Sequence, residues 1–268
     1  MTAMRPALAD GSFAGQIALV SGAGSGIGRA TALFLSQLGA TVILAGRTTE
    51  KLEATASLLG GAETQTLTIR DPEAVRAVFD AVWQRHGRLD ILINSAGGQF
   101  PQAAIDFSIK GWNAVIDTNL NGTWYMMQAA AQKWRDAGVP GVIVNVVTAI
   151  SRGMPGVAHS CAARAGVIYA SKTVATEWAP LGIRVNCVAP GVIATEGMQV
   201  YPDEVRREFS QTNPMMRMGR VEEVANAVTY LASPAAAFMT GEVLTIDGGN
   251  QMWGDQWTIP RPDYFRVG

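Results

Sequence analysis

The chain has 268 residues, 48% of them hydrophobic, with 21 Lys and Arg against 22 Asp and Glu for a formal net charge of −1. That composition supports one large domain with a substantial core and excludes a disordered chain. The charge balance offers no basic field for a nucleic acid, and two cysteines, Cys161 and Cys187, are too few for a disulfide framework or a four-cysteine zinc site.

The predicted elements alternate along the chain. Residues 17–20 read as a short buried strand, followed by a glycine-rich turn and a helix over 27–38. A strand over 41–45 and a helix over 49–59 come next, then a third strand over 67–69. Asp71 as cap and Pro72 at the first helical position open a helix over 72–86. Strands over 91–94, 142–147, 183–187 and 243–246 complete the series, with a long helix over 158–179 between two of them. Strands that are apolar throughout and separated by helices predict a parallel sheet covered on both faces. The expected fold is therefore a doubly wound, Rossmann-like α/β domain, single over residues 1–268. The least regular parts are 194–220 and a C-terminal extension over 251–268 with an aromatic tail at 253–265. No apolar run reaches the length of a membrane span, and the opening stretch MTAMRPALADGSF has no apolar signal core, so a cytoplasmic protein without a membrane partner is expected.

After the first strand comes Ser21-Gly22-Ala23-Gly24-Ser25-Gly26-Ile27-Gly28. Glycines at this place let the backbone turn sharply and approach a pyrophosphate, and the following helix offers free N–H groups and the positive end of its dipole. The second strand runs into Gly46 and Arg47. An acidic residue there would bind a ribose 2′-hydroxyl. Arg47 instead supplies a planar cation for a 2′-phosphate, with Arg29 close by in sequence to the loop, which favours NADP(H) over NAD(H).

The glycine spacing resembles that of the short-chain dehydrogenase/reductase family, and further motifs agree along nearly the whole chain: Asn94-Ser95-Ala96-Gly97, Asn119 within Thr118-Asn119-Leu120-Asn121-Gly122, the run from Ile183 through Pro190 and Gly191, and Asp247-Gly248-Gly249. The resemblance implies a nicotinamide cofactor held by the loop residues Ser21 to Gly28, by Thr68 and Ile69, by Asn94, Ala96 and Gly97, and by Pro190, Gly191, Ile193 and Thr195. It also implies a homotetramer packed on the helix over 158–179, and a substrate lid in the 194–220 region, where Met215, Met216 and Met218 suit a flexible acyl chain.

Most members of the family use a Tyr as proton donor, a Lys four residues later, and a Ser about a dozen residues earlier. The resemblance places Ser160, Arg164 and Thr148 at those positions, with Asn119 as the active-site Asn and His159 as a titratable neighbour. Tyr169 and Lys172 are three apart rather than four, and roughly 900° of helical rotation from Ser160 turns Tyr169 to the opposite face. Arg164 can bond ribose hydroxyls and stabilise negative charge, but it stays protonated. A serine hydroxyl is far too weak an acid to replace a phenol. Such a site suits conjugate reduction, where charge builds on an enolate oxygen and water protonates carbon. The stretches NSAGGQF, KGWNAV and HSCAARAGV are similar to peroxisomal trans-2-enoyl-CoA reductases. The 2,4-dienoyl-CoA reductases also lack the usual Tyr, and the chain resembles citronellol/citronellal dehydrogenase-like proteins as well. An acyl-CoA or an isoprenoid carbonyl is thus the expected substrate. Three readings stand: an enoyl-thioester reductase, an isoprenoid alcohol or aldehyde dehydrogenase using His159 or Tyr169, and a catalytically silent cofactor-binding subunit.

Overall fold

The computed structural model describes residues 4–252 and 258–260. In chain order the elements are β1 (Ile17–Ser21), α1 (Gly26–Gln37), β2 (Thr41–Gly46), α2 (Thr49–Leu58), β3 (Glu63–Thr66), α3 (Pro72–His86), β4 (Ile91–Asn94), α4 (Ile109–Ile116), α5 (Thr123–Ala137), β5 (Gly141–Val146), α6 (Ala158–Trp178), β6 (Ile183–Pro190), α7 (Asp203–Glu208), α8 (Val221–Ala232) and β7 (Val243–Ile246). The strands form one parallel sheet in the order β3-β2-β1-β4-β5-β6-β7. Chain direction along the sheet reverses between β1 and β4, which opens a crevice beyond their carboxyl ends.

Because β1, β4 and β5 are covered on both faces, their residues are apolar almost throughout rather than alternating. One face packs Val20, Leu44 and Val144 under α1, α2 and α8 through Leu35, Leu52 and Leu231. The other packs Leu19, Leu92 and Ile143 under α3, α5 and α6 through Phe79, Met126, Trp134 and Val174. Local chemistry sets the helix ends. The Asp71 side chain accepts from the N–H groups of Glu73 and Ala74, Pro72 follows it, and Gly87 ends α3 in the left-handed region.

The third strand is corrected by the structure. It runs over Glu63–Thr66, not 67–69. Leu67 and Ile69 are buried beyond the last paired residues; the Leu67 N–H still reaches the Gly46 carbonyl at 2.8 Å, and from Thr68 the chain turns into α3. Their apolar character records burial under the sheet edge, whereas the edge strand itself is polar. β6 extends three residues past the predicted end, because its last four residues pair with β7. The predicted aromatic tail over 253–265 lies outside the described residues except at 258–260, where the Thr258 hydroxyl donates to the Pro155 carbonyl.

Candidate active site

Beyond β1 the chain must reverse into α1 in very little space. Gly22 has φ +71°, and a Cβ there would lie 2.7 Å from the Ala96 nitrogen. A Cβ on Gly28 would lie 2.3 Å from the Gly22 carbonyl oxygen. The loop is therefore wedged between α1 and the segment after β4, and only glycine fits either position. α1 begins without a side-chain cap and without an acidic residue in its first turn. The carboxylate of Glu196, still more than half exposed, accepts from the Gly26 N–H at 3.1 Å and from Arg29 Nη1 at 3.0 Å.

A cleft of about 480 Å³ opens at the carboxyl ends of the central strands, a size typical of small-molecule sites. It gathers Gly22, Gly24, Ser25, Gly26, Ile27 and Gly28 with Arg47, Thr68 and Ile69 on one side. Ala96, Gly97, Asn119, Thr148, Arg164, Pro190, Gly191, Ile193 and Thr195 line the remainder. Ser21, Asn94, Ser160 and His159 lie behind these walls. The Ser21 hydroxyl accepts from the Ala96 N–H at 3.3 Å. Asn94 Nδ2 donates to Asn145 Oδ1 at 2.8 Å, and Asn145 donates in turn to the Ser171 hydroxyl at 2.9 Å. This buried polar row ties the strand ends to α6.

Asn119 sits in a π-helical stretch, Asp117–Gly122, inserted between α4 and α5. Such a stretch widens the helix locally and often marks a functional position. The Asn119 side chain clasps the backbone of one residue, Gly98, through both of its polar groups. Its Oδ1 accepts from the Gly98 N–H and its Nδ2 donates to the Gly98 carbonyl, each at 2.9 Å. The same Nδ2 is 3.4 Å from the Ser160 hydroxyl, so Ser160 supports Asn119 from behind.

Arg164 projects from α6 to the cleft wall and is nevertheless buried. Its guanidinium lies flat against the chain at Gly97, where a Cβ would come within 2.1 Å of Nη2. Burial lowers its pKa to about 10, so it remains a cation at neutral pH. No carboxylate among the described residues acts on it. The Cys187 thiol beneath it is pushed up to about 11 by its own burial and stays neutral. An uncompensated buried cation facing a cleft is a site prepared for electron-rich oxygen.

His159 does not reach the cleft. Its ring stacks on Phe107 at 4.5 Å and meets Phe100 edge-on at 4.6 Å. Nδ1 accepts from the Ser160 N–H at 2.7 Å, and Nε2 has no partner among the described residues. Burial lowers its pKa, which keeps the ring neutral. Tyr169 is 70% exposed on the far side of α6, with the Lys172 ammonium over its ring.

Sequence reasoning gave Tyr201 no role beyond its place in the lid region and Gln99 none beyond the resemblance, yet both line the cleft with Asn119, together with Met154, Met198, Val200 and Phe209. Gln99 Nε2 donates to the Tyr201 hydroxyl. Met215 and Met216, the predicted acyl contacts, are instead 58% and 59% exposed, and Met218 packs with Tyr201 and Phe209. The residue set suits an anionic dinucleotide. The loop glycines allow close backbone approach, a helix N-terminus faces the cleft, Arg47 stands at its rim, and Arg164 waits at the other end.

A family described as enoyl-(acyl carrier protein) reductase matches residues 22–251. A Bacillus subtilis protein named "Probable 2,4-dienoyl-CoA reductase" is 36% identical over 91% of this chain and 97% of its own length. The 3-oxoacyl-(acyl-carrier-protein) reductase FabG of Thermotoga maritima is 37% identical over 88% of this chain and 97% of its own. Among solved structures, the citronellol catabolism dehydrogenase AtuB of Pseudomonas aeruginosa PAO1 superposes with a TM-score of 0.82 at 38% identity, covering 92% of this chain and 99% of that one. The relatives' names span double-bond, carbonyl and alcohol chemistry at nearly equal identity, so the site residues must decide between them.

Proposed function

The chain belongs to the short-chain dehydrogenase/reductase family, and from that premise we propose that it is an NADP(H)-dependent reductase of the conjugated double bond in an enoyl thioester. The observation that carries this reading is the pairing of an unneutralised buried Arg164 with the absence of a phenol at position 160. Carbonyl reduction needs an acid beside the oxygen that becomes an alcohol. Ser160 has too weak a proton and sits behind Asn119. Conjugate reduction needs only stabilisation of enolate charge and a proton on carbon, which water supplies.

The bound cofactor supplies hydride. The chain's residues do the rest. The glycine loop and the α1 N-terminus hold the diphosphate, and Arg47 holds the 2′-phosphate. Arg164 bonds the nicotinamide ribose hydroxyls and sets a positive field over the reacting region. Asn119 fixes the Gly97–Gly98 wall against which both rest. The segment over 194–220 serves as the lid over an acyl chain. The protein works in the cytoplasm as a homotetramer, with α6 and its exposed Tyr169 in the packing surface.

Cofactor oxidation tests the reading. Turnover of crotonyl-CoA with none of citronellol supports it. The reverse supports an isoprenoid dehydrogenase, in keeping with the likeness to AtuB. Tight NADPH binding with turnover of neither marks a silent cofactor-binding subunit. The cofactor choice has its own test. Arg47→Ala is expected to raise the NADPH Kd roughly 10- to 100-fold, the loss of a charge-assisted contact, with NADH little affected. Equal losses for both cofactors contradict the 2′-phosphate assignment.

A further inference from the structure

A phenol is absent at position 160, but the fold brings another phenol to the cleft from a place 102 residues away from its partner Gln99. Tyr201 sits just before α7, buried among Phe209, Val205 and Val192, with its hydroxyl at the cleft wall beside Gln99. Ser160, whose hydroxyl accepts from Asn119, lies behind the cleft wall, and two other hydroxyls that line the cleft have spent their protons. Thr118 donates to the Ala114 carbonyl at 2.8 Å, and Thr148 donates to the Pro190 carbonyl at 3.3 Å. The Tyr201 oxygen accepts from Gln99, and no acceptor among the described residues takes its O–H. A phenol that accepts one hydrogen bond becomes a better donor for the next.

Its place along the wall matters. Gly97 rests on the Arg164 guanidinium, Gly98 is clasped by Asn119, and Gln99 follows. Two residues span at most ~7 Å, so the residue that holds the phenol follows closely on the glycine that touches Arg164. In a simple carbonyl the oxygen is one bond from the carbon that accepts hydride. In an enoyl thioester it is three bonds away. A donor apart from Arg164, held on the same wall by Gln99, is free to serve that more distant oxygen.

We propose that Tyr201 is a catalytic residue that donates its O–H to the thioester oxygen of the substrate, with Gln99 as the positioning residue that aims it. This rests on the enoyl-thioester reading. The electron count closes as follows. The hydride pair from the reduced nicotinamide forms the new C–H bond at Cβ. The Cα=Cβ pair moves to the Cα–carbonyl bond, and the C=O pair moves onto oxygen, where the phenol stabilises it by hydrogen bonding. Water then protonates Cα, the C=O bond re-forms, and hydroxide is left. The substrate is reduced and the nicotinamide oxidised. Burial holds the Tyr201 pKa above that of a free phenol, so it remains a donor throughout.

The test compares wild type, Tyr201→Phe and Tyr169→Phe with crotonyl-CoA and NADPH. Phe keeps the ring packed on Phe209, whose centroid is 5.3 Å away. Tyr201→Phe is expected to lower kcat/KM about 100-fold, the usual loss for one oxyanion donor, with the NADPH Kd by calorimetry and the melting temperature unchanged. Tyr169→Phe keeps wild-type turnover. If wild type turns over and Tyr201→Phe stays within about threefold of it, the phenol is idle and the inference falls while the substrate reading stands. If Tyr201→Phe weakens NADPH in proportion to activity, the role is in cofactor binding and the inference falls. If wild type binds NADPH but leaves crotonyl-CoA untouched, the substrate reading falls and takes this inference with it.

Discussion

Replacing Arg164 by Met is expected to make the cofactor-free protein more stable while removing nearly all of its activity. The two effects have one cause. A guanidinium buried at the cleft wall, with its pKa lowered to about 10 and no carboxylate among the described residues acting on it, is a cost to the folded state. Taking an ion out of water costs several kcal/mol unless partners compensate, and apolar replacement of buried charge commonly stabilises by about 1–4 kcal/mol. For a chain of this size each kcal/mol moves the melting temperature by roughly 2–4 °C. Activity moves the other way. Loss of the cation is expected to lower kcat/KM by about 100- to 1000-fold, while Arg164→Lys, which keeps a charge there, recovers most of it. Calorimetric melting without cofactor, paired with steady-state rates, checks both arms. A variant that melts lower and retains its turnover would show that Arg164 is a packing residue.

The second large effect is expected from Gly28→Ala. The added Cβ would meet the backbone oxygen of Gly22 at 2.3 Å, and Gly22 has little room to yield, since even a Cβ on it would lie 2.7 Å from the Ala96 nitrogen. Side-chain rotation relieves neither contact. The fold is expected to lose about 1–3 kcal/mol from overpacking. NADPH binding is expected to weaken by more than tenfold, since the diphosphate depends on the loop that must shift. Gly98→Ala is the control for stability, as its Cβ meets nothing within 4 Å. Melting curves and binding isotherms for both variants separate a wedge-shaped loop from a merely permissive one.

These contacts also show which parts of the molecule the sequence could announce. The central strands, and the meeting of the loop glycines and Arg47 at one cleft, were legible because each is a local pattern: an unbroken apolar run, a turn, a strand end. That Arg164 faces the cleft and Tyr169 does not was legible by position along one helix, and the helix-face argument for Tyr169 agrees with its 70% exposure. The third strand was misplaced, because burial of Leu67 and Ile69 past the ladder mimics a strand, while the true edge strand, ETQT, is polar. His159 stood among the candidate acid/base residues as a titratable neighbour of the site, since nothing local reveals that Phe100 and Phe107, more than 50 residues earlier, enclose it. Gln99 and Tyr201 were invisible as a pair for the same reason. Their contact depends on where the sheet order brings the loop after β4 and the chain before α7, and no periodicity encodes that.

The central claim is that hydride reaches a carbon remote from the oxygen. Deuterium labelling reads this directly. NADPH carrying deuterium at the transferable position is supplied with an α,β-unsaturated thioester, and separately with the matching enal, and the products are analysed by mass spectrometry and NMR. The account predicts deuterium at Cβ of a saturated product with the carbonyl intact in both cases. Deuterium on the carbinol carbon of an alcohol, with the double bond retained, would contradict it.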